Sequence, residues 1–222
     1  MREFLAEYGD LLLSGTLKTL AMALIGTCAA YVLGIPLGVL ATATAPGSLR
    51  PHRGFNMVLG WIINIGRSIP FIILLVALIP FTRLLMGTSI GTTGAIVPLV
   101  VAATPFVARM VESSLQEVGG GVVEAALSYG ASTGQIITKV MLKEGLPLII
   151  RGASITLITL IGYSAMAGAI GAGGLGDIAV RYGYYRYQDN VMFATIIILI
   201  VLVQGIQSAG DLLARVVDKR NR

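Results

Sequence analysis

The feature that most constrains this chain is the spacing of its charges. No charged side chain occurs in 19–49, 84–108, 152–176 or 190–210. A helix that crosses the hydrocarbon core of a bilayer needs about 20 mostly apolar residues, and each stretch is long enough. A soluble fold of 222 residues has too little interior to hide that much apolar surface. Charged residues make up 12% of the chain, against roughly 25% in an average globular protein. The mean hydropathy is +0.85. The same balance excludes a disordered chain, which would be poor in apolar residues and rich in charge. The sequence reads as an all-α integral membrane protein.

Five spans are expected. The first covers about 17–41, with Lys18 near its start reaching toward the headgroups. Gly34 and Gly38 suit close helix contact, although Pro36 between them fits a local bend equally well. Residues 42–54 form a basic loop full of turn formers. Between Arg53 and Arg67 lie 13 uncharged residues, too few to span, so a short interfacial helix carrying Trp61, Asn56 and Asn64 is expected there. Span two should cover 68–86, with Pro70 in its first turn and a kink at Pro80. Span three should cover 91–111 and bend at Pro98 or Pro105. Spans four and five are expected at about 152–170 and 191–213.

Residues 112–151 differ in character. They carry Glu112, Glu117, Glu124, Lys139, Lys143, Glu144 and Arg151. One such charge at the bilayer centre costs about 2.5–3.5 kcal/mol, so this segment is expected as a long loop outside the membrane. Five spans put the termini on opposite sides. Segments 42–67, 109–151 and 215–222 hold eleven Lys and Arg residues, and the remainder of the chain holds five. The positive-inside rule then places the long loop and the C-terminus in the cytoplasm and the N-terminus outside. Tyr182, Tyr184, Tyr185 and Tyr187 would form an outer aromatic belt. The first ten residues carry Arg2, Glu3, Glu7 and Asp10, which does not match a cleaved signal peptide. The formal charge of +5 follows from basic residues flanking apolar runs. No basic patch interleaved with aromatics points to nucleic acid.

Several motifs carry no chemistry here. Residues 171–176 read GAGGLG, a literal G-x-G-x-x-G, but they follow an apolar run of membrane length rather than a short strand. They read as a closely packed exit from span four. No G-x-x-x-x-G-K-[ST] occurs, so no ATP-binding P-loop is expected. One cysteine, Cys28, and one histidine, His52, cannot make a metal site; Cys28 is expected to be a small buried apolar residue. No catalytic set, metal or cofactor is expected. The proposed spans contain no paired carboxylates for a proton relay, which disfavours an ion-coupled carrier. A homo-oligomeric channel and a membrane scaffold remain as readings from other classes.

The segment after Gly121 is more informative. Residues 124–130 read EAALSYG. A short helix there would bring Ala125, Ala126 and Tyr129 to a face of small residues, with Gly130 as its stop. A second amphipathic helix is expected over 132–144. A short helix that exposes small residues fits a groove on a partner. In span four, Tyr163, Ser164, Met166 and Gly168 combine polar and soft residues with small ones, a set suited to a translocation path or a gate beside it.

The run Glu124-Ala125-Ala126, three residues, then Gly130 resembles the EAA loop of the ABC importer permeases. The usual I-x-L-P ending would fall on Val140-Met141-Leu142-Lys143. Lys143 stands in the place of the proline, and a Leu146-Pro147 pair follows four residues later. GRSIPF at 66–71, GYSAMAGAIGAGGLGDIAVRYGYYRYQ at 162–188 and the terminal DLLARVVDKR are similar to the methionine-uptake branch of that family. The resemblance implies a type I permease fold and a second copy of the chain, with the path along a two-fold axis. It implies two copies of a separate ATPase subunit, docked on Glu124, Ala125, Ala126, Tyr129 and Gly130. It also implies an external, periplasmic or lipid-anchored methionine-binding protein, a lipid environment in a bacterial inner membrane, and transport of unmodified methionine without catalysis by this chain.

Overall fold

The structure, a computed structural model, describes residues 2–218, apart from the side chains of residues 2, 3 and 5. Lys219, Arg220 and Arg222, counted above among the basic residues of the C-terminus, lie outside the described residues. Every regular element among the described residues is helical. In chain order these are α1 (Arg2–Thr44), α2 (Arg53–Ser68), α3 (Phe71–Ala77), α4 (Ile79–Met86), α5 (Gly91–Gln116) and α6 (Gly120–Ser128). A helical run, α7, covers 133–144 and contains a π-turn at Ile136–Met141. Then come α8 (Leu146–Ala167), which runs into a wide turn at Gly168–Ala172, α9 (Gly174–Ile178), a π-turn at Ala179–Tyr184, and α10 (Asp189–Val217). Four of these helical stretches are long and apolar enough to cross a membrane: Ala6–Thr44, Gly91–Gln116, Leu146–Ala172 and Asp189–Val217. The fifth candidate is a broken one, α2 and α3 together, bent by 98°.

Two compact units divide the chain, and the four long helices contribute residues to both. The first unit is built from the start of α1 through Ala29, Ile69–Ala103 and Thr156–Gln207. Met22, Leu99, Leu160 and Leu175 are fully buried in it. Gly26 on α1 faces Leu160 and Leu99 with little space to spare. The Leu175 N–H donates to Thr19 Oγ1 at 2.9 Å. A buried hydroxyl on α1 thereby satisfies an otherwise orphan donor in the first turn of α9.

The second unit contains Ala30–Ser68, Thr104–Ile155 and the chain from Ser208 onward. Ala41, Leu59, Ile63 and Ala108 form its small apolar cluster. Gly34 and Gly38 both face α5: a side chain at Gly34 would collide with Val107, and one at Gly38 with the Ala108 carbonyl. The close-contact reading of this pair is the one the packing shows, and α1 remains a single helix through Pro36. Arg109 Nη1 donates to Glu112 Oε2 at 2.7 Å, and its Nη2 donates to Asn64 Oδ1 at 2.8 Å.

Several sequence expectations change. Residues 68–86 are not one continuous helix: the chain breaks at Ile69–Pro70 and again at Leu78, two residues before Pro80. Proline is tolerated in a first turn, where its missing N–H is not needed. Each break therefore starts a new helix instead of kinking an old one. The connection expected at 112–151 is shorter at both ends. α5 continues to Gln116 because Glu112 is compensated by Arg109 and lies 8% exposed, and α8 begins at Leu146. Cys28 is exposed rather than buried, on the same outward apolar side of α1 as Leu24 and Ile25.

Candidate functional site

Two places combine the residues singled out from the sequence. The first is α6, in the second unit. Its sequence GGVVEAALS contains no buried residue. A nine-residue helix is too short to be stable alone, yet this one presents Val122, Leu127 and the following Tyr129, itself 91% exposed, to its surroundings. Glu124 and Ala125 are exposed and Ala126 is half-buried. A groove of about 440 Å³ runs beside it, between Thr42–Leu49 on one side and Val123, Glu124, Leu127 and Met141 on the other.

The end of α6 is fixed by hydrogen bonds. Tyr129 is the C-cap, and Gly130 follows with φ of +76°. The Gly130 N–H donates to the Leu127 carbonyl at 2.9 Å, and the Ala131 N–H donates to the Ala126 carbonyl at 3.1 Å. This is a Schellman ending, which needs a left-handed residue and so favours glycine. No neighbour lies within 4 Å of a Cβ built on Gly130, so the backbone angle alone demands glycine here. Ser132 opens α7 with a capping box: the Gln135 N–H donates to Ser132 Oγ, and the Ser132 N–H donates to Gln135 Oε1. Ser-Thr-Gly-Gln is a legible capping signature. Pro147 sits in the first turn of α8, so the Leu146-Pro147 pair starts a helix.

The second place is the end of α8, in the first unit. Tyr163 stacks on Phe71 with ring centroids 4.5 Å apart and planes 4° apart. Ser164 is buried, and its hydroxyl donates to the Ile161 carbonyl at 2.7 Å. Gly168 is buried because a side chain there would meet the Asp177 N–H at 2.5 Å. Met166 is the exposed member of the set, at 49%, and Tyr163 is half-buried. Ser164 and Gly168 thus shape the segment, while Met166 keeps free surface.

Beyond Met166 the helix gives way. Ile170 has φ −111° and ψ 20°, and Gly171, Gly173 and Gly174 have φ of +97°, +80° and +82°. The literal nucleotide fingerprint is a helix-to-helix turn, with glycines at left-handed positions and no preceding strand. The sequence reading missed Thr19, whose partner lies 156 residues away, and it gave no role to Val122 or Leu127. No group of three or more metal-ligating residues occurs among the described residues.

A helical membrane chain with an unburied short helix between its long ones has the form of a transporter's membrane subunit. Residues 34–222 match the family described as binding-protein-dependent transport system inner membrane component. The chain belongs to this family, the permeases of ABC importers, whose members are multi-pass inner-membrane subunits. It is 54% identical over 218 residues to a probable D-methionine transport system permease protein, MetI, of Vibrio cholerae, covering 98% of this chain and 97% of that one. It is 45% identical over 177 residues to the methionine import system permease protein MetP of Bacillus subtilis, covering 80% of each. Among solved structures, a chain of the MetNI methionine ABC transporter in inward-facing conformations superposes with a TM-score of 0.94 at 49% identity, covering 96% of this chain and 99% of that one.

Proposed function

We propose that this chain is the membrane subunit of an ATP-driven importer of methionine, taking L- and D-methionine and close derivatives. The observation that carries the reading is near-full-length identity of about half with proteins named as methionine permeases. The test is uptake of radiolabelled L- and D-methionine by cells lacking their own methionine importer and given this chain with its ATPase and binding protein. Uptake that exceeds the empty control and is competed by unlabelled methionine, not by alanine, supports the reading; uptake equal to the control sinks it.

The remaining assignments rest on physical fit. A separate ATPase subunit, in two copies, hydrolyses ATP and docks on α6 through Glu124, Ala125, Ala126, Tyr129 and Gly130. What supports this is a helix with nothing of its own buried against the chain. A periplasmic or lipid-anchored binding protein delivers the substrate from outside. The chain works as a homodimer, because five spans enclose a path poorly and two copies around a two-fold axis enclose it well. Met166 stands near that axis at the gate, with Tyr163, Ser164 and Gly168 behind it. A Met166→Cys variant in a Cys28→Ala background should cross-link to its copy in at least one nucleotide state. Absence of the cross-link in every state would displace Met166 from the axis.

The orientation follows the basic asymmetry, with the N-terminus outside and α6, α7 and the C-terminus in the cytoplasm. Single cysteines at Thr88 and Ser128, both exposed, read it directly. An impermeant thiol reagent on intact spheroplasts should label position 88 and spare position 128; the reverse pattern would invert the topology.

A further inference from the structure

We propose that the pocket between the start of α8 and the end of α10 holds the headgroup of a zwitterionic phospholipid, one whose phosphate is accompanied by a primary ammonium. Nothing in this depends on the solute carried; a chain that crosses a bilayer is enough. The pocket lies in the second unit and has a volume of about 600 Å³. Its walls come from α7, α8, α10 and the residue that follows α10. Leu146 opens the span that runs to Ala172, and Val217 closes the span that starts at Asp189. Two spans that end at one pocket put it at the level where hydrocarbon gives way to headgroups.

Both signs of charge line this space. Lys139 and Lys143 stand about one turn apart on α7. Both are exposed, and among the described residues neither enters an ion pair. Lys143 stands where the EAA loop ordinarily has a proline, so the departure of this chain from that motif supplies one of the two cations. Glu144 and Asp218 supply two carboxylates. Each is already engaged, but an ionised carboxylate offers about four lone-pair sites and keeps capacity for a further donor. The helix ends repeat the pattern. Leu146 and Pro147 belong to the first turn of α8, the positive end of its dipole. Val217 is the last residue of α10, whose final carbonyls form the negative end.

A headgroup with one phosphate and one ammonium meets these groups in pairs. The phosphate goes to Lys139, Lys143 and the start of α8, since basic pockets between spans and helix N-termini both favour phosphate. The ammonium goes to Glu144, Asp218 and the end of α10. A purely anionic headgroup would face both carboxylates with a like charge. A trimethylated ammonium has no N–H to donate, so the carboxylates select a primary amine. The acyl chains have their own path. Leu146 is 41% exposed, and Leu213, one turn before Val217 on α10, is 57% exposed. A free, soluble headgroup would leave that apolar surface uncovered, which commits the site to a lipid.

The test measures lipid binding to the full-length chain. The protein is purified in detergent, stripped of lipid and titrated with phosphatidylethanolamine, phosphatidylcholine or phosphatidylglycerol of matched acyl chains. Bound copies are read by native mass spectrometry. The first phosphatidylethanolamine should bind at least about tenfold tighter than either other lipid, as charge-assisted hydrogen bonds to its ammonium require. Lys139→Gln with Lys143→Gln should weaken it about tenfold or more, through loss of the bonds to phosphate. Glu144→Gln with Asp218→Asn should bring it down to the level of phosphatidylcholine. Lys139→Arg with Lys143→Arg keeps both charges and should keep the preference. Both lysines are exposed, so their variants carry the test should Asp218→Asn fold poorly. Equal affinity for the three lipids, or a preference unchanged in both charge-removing pairs, overturns the site. Tighter binding of phosphatidylglycerol overturns the zwitterionic assignment. The titration is then repeated with the ATPase subunit added. Retention of the lipid supports the site, and its expulsion gives the pocket to a protein partner and overturns it.

Discussion

Replacing Ala125 by tryptophan is expected to abolish methionine uptake while the protein still inserts and dimerises. Ala125 is exposed on a helix that buries none of its residues against the chain, so the larger side chain costs the permease itself almost nothing. Its cost falls on the partner. A helix seated in a groove is held at a distance set by its smallest residues, and an indole in place of a methyl group moves it away by several ångströms. Interfaces of this kind switch between discrete arrangements rather than deforming smoothly. Disrupting a well-packed central contact costs about 2 kcal/mol or more, so uptake should fall at least about tenfold. Gly130→Val should act through the same contact by another route. Valine is among the residues least able to adopt a φ of +76°, so the Schellman ending opens and Tyr129 is re-aimed. Gly130→Asn, which tolerates that backbone region, should keep most of the activity. Uptake and ATP hydrolysis are to be measured on the purified complex side by side. Wild-type uptake by Ala125→Trp with the ATPase still bound would remove α6 from the coupling role.

Gly176→Ala should have the largest effect on the folded protein itself. A methyl group there would run into the carbonyl oxygen of Ala165 and lie 2.5 Å from its Cα. Both are backbone atoms of α8, so no side-chain rotation relieves the clash. Overpacking in a well-filled interior costs about 1–3 kcal/mol and occasionally more, and a collision with backbone belongs at the upper end. Gly171→Ala offers the contrast. Its Cβ would meet nothing within 4 Å, but φ is +97°, so the loss should be only about 1–2 kcal/mol. Thermal unfolding of the detergent-purified proteins should rank them wild type, then Gly171→Ala, then Gly176→Ala, with little Gly176→Ala recovered from the membrane. Equal midpoints for the two variants would mean that α9 does not pack on α8 at Gly176.

Much of this was readable before any coordinates. Charge-free stretches of fixed minimum length leave little choice but membrane helices, because an unsatisfied backbone in lipid is so costly. The Glu-Ala-Ala run and Gly130 gave a short helix with a left-handed stop, and the structure has a Schellman ending at that residue. These are local properties: propensity, a φ that favours glycine, a length matched to a bilayer. The start of 112–151 was misread because it depends on a compensation the local pattern does not show. Glu112 continues α5 instead of ending it because Arg109 neutralises it and Asn64, 45 residues before Arg109, holds the guanidinium.

The sequence by itself determined the solvent this protein folds in, the approximate positions of its four long helices, and the presence of an exposed short helix between two of them. Only the tertiary structure decided what shape the glycine-rich exit of α8 takes, how α9 is capped, and where a buried hydroxyl lacks a partner. Thr19 meets Leu175 across 156 residues, and Thr82, Pro98 and Ile170 come together around one cavity. Apolar periodicity gives the number and length of helices. Which faces meet is set by the close approach of particular small residues, such as Gly34 to Val107 and Gly176 to Ala165. That approach is a sum over contacts distant in the chain, and no single segment encodes it.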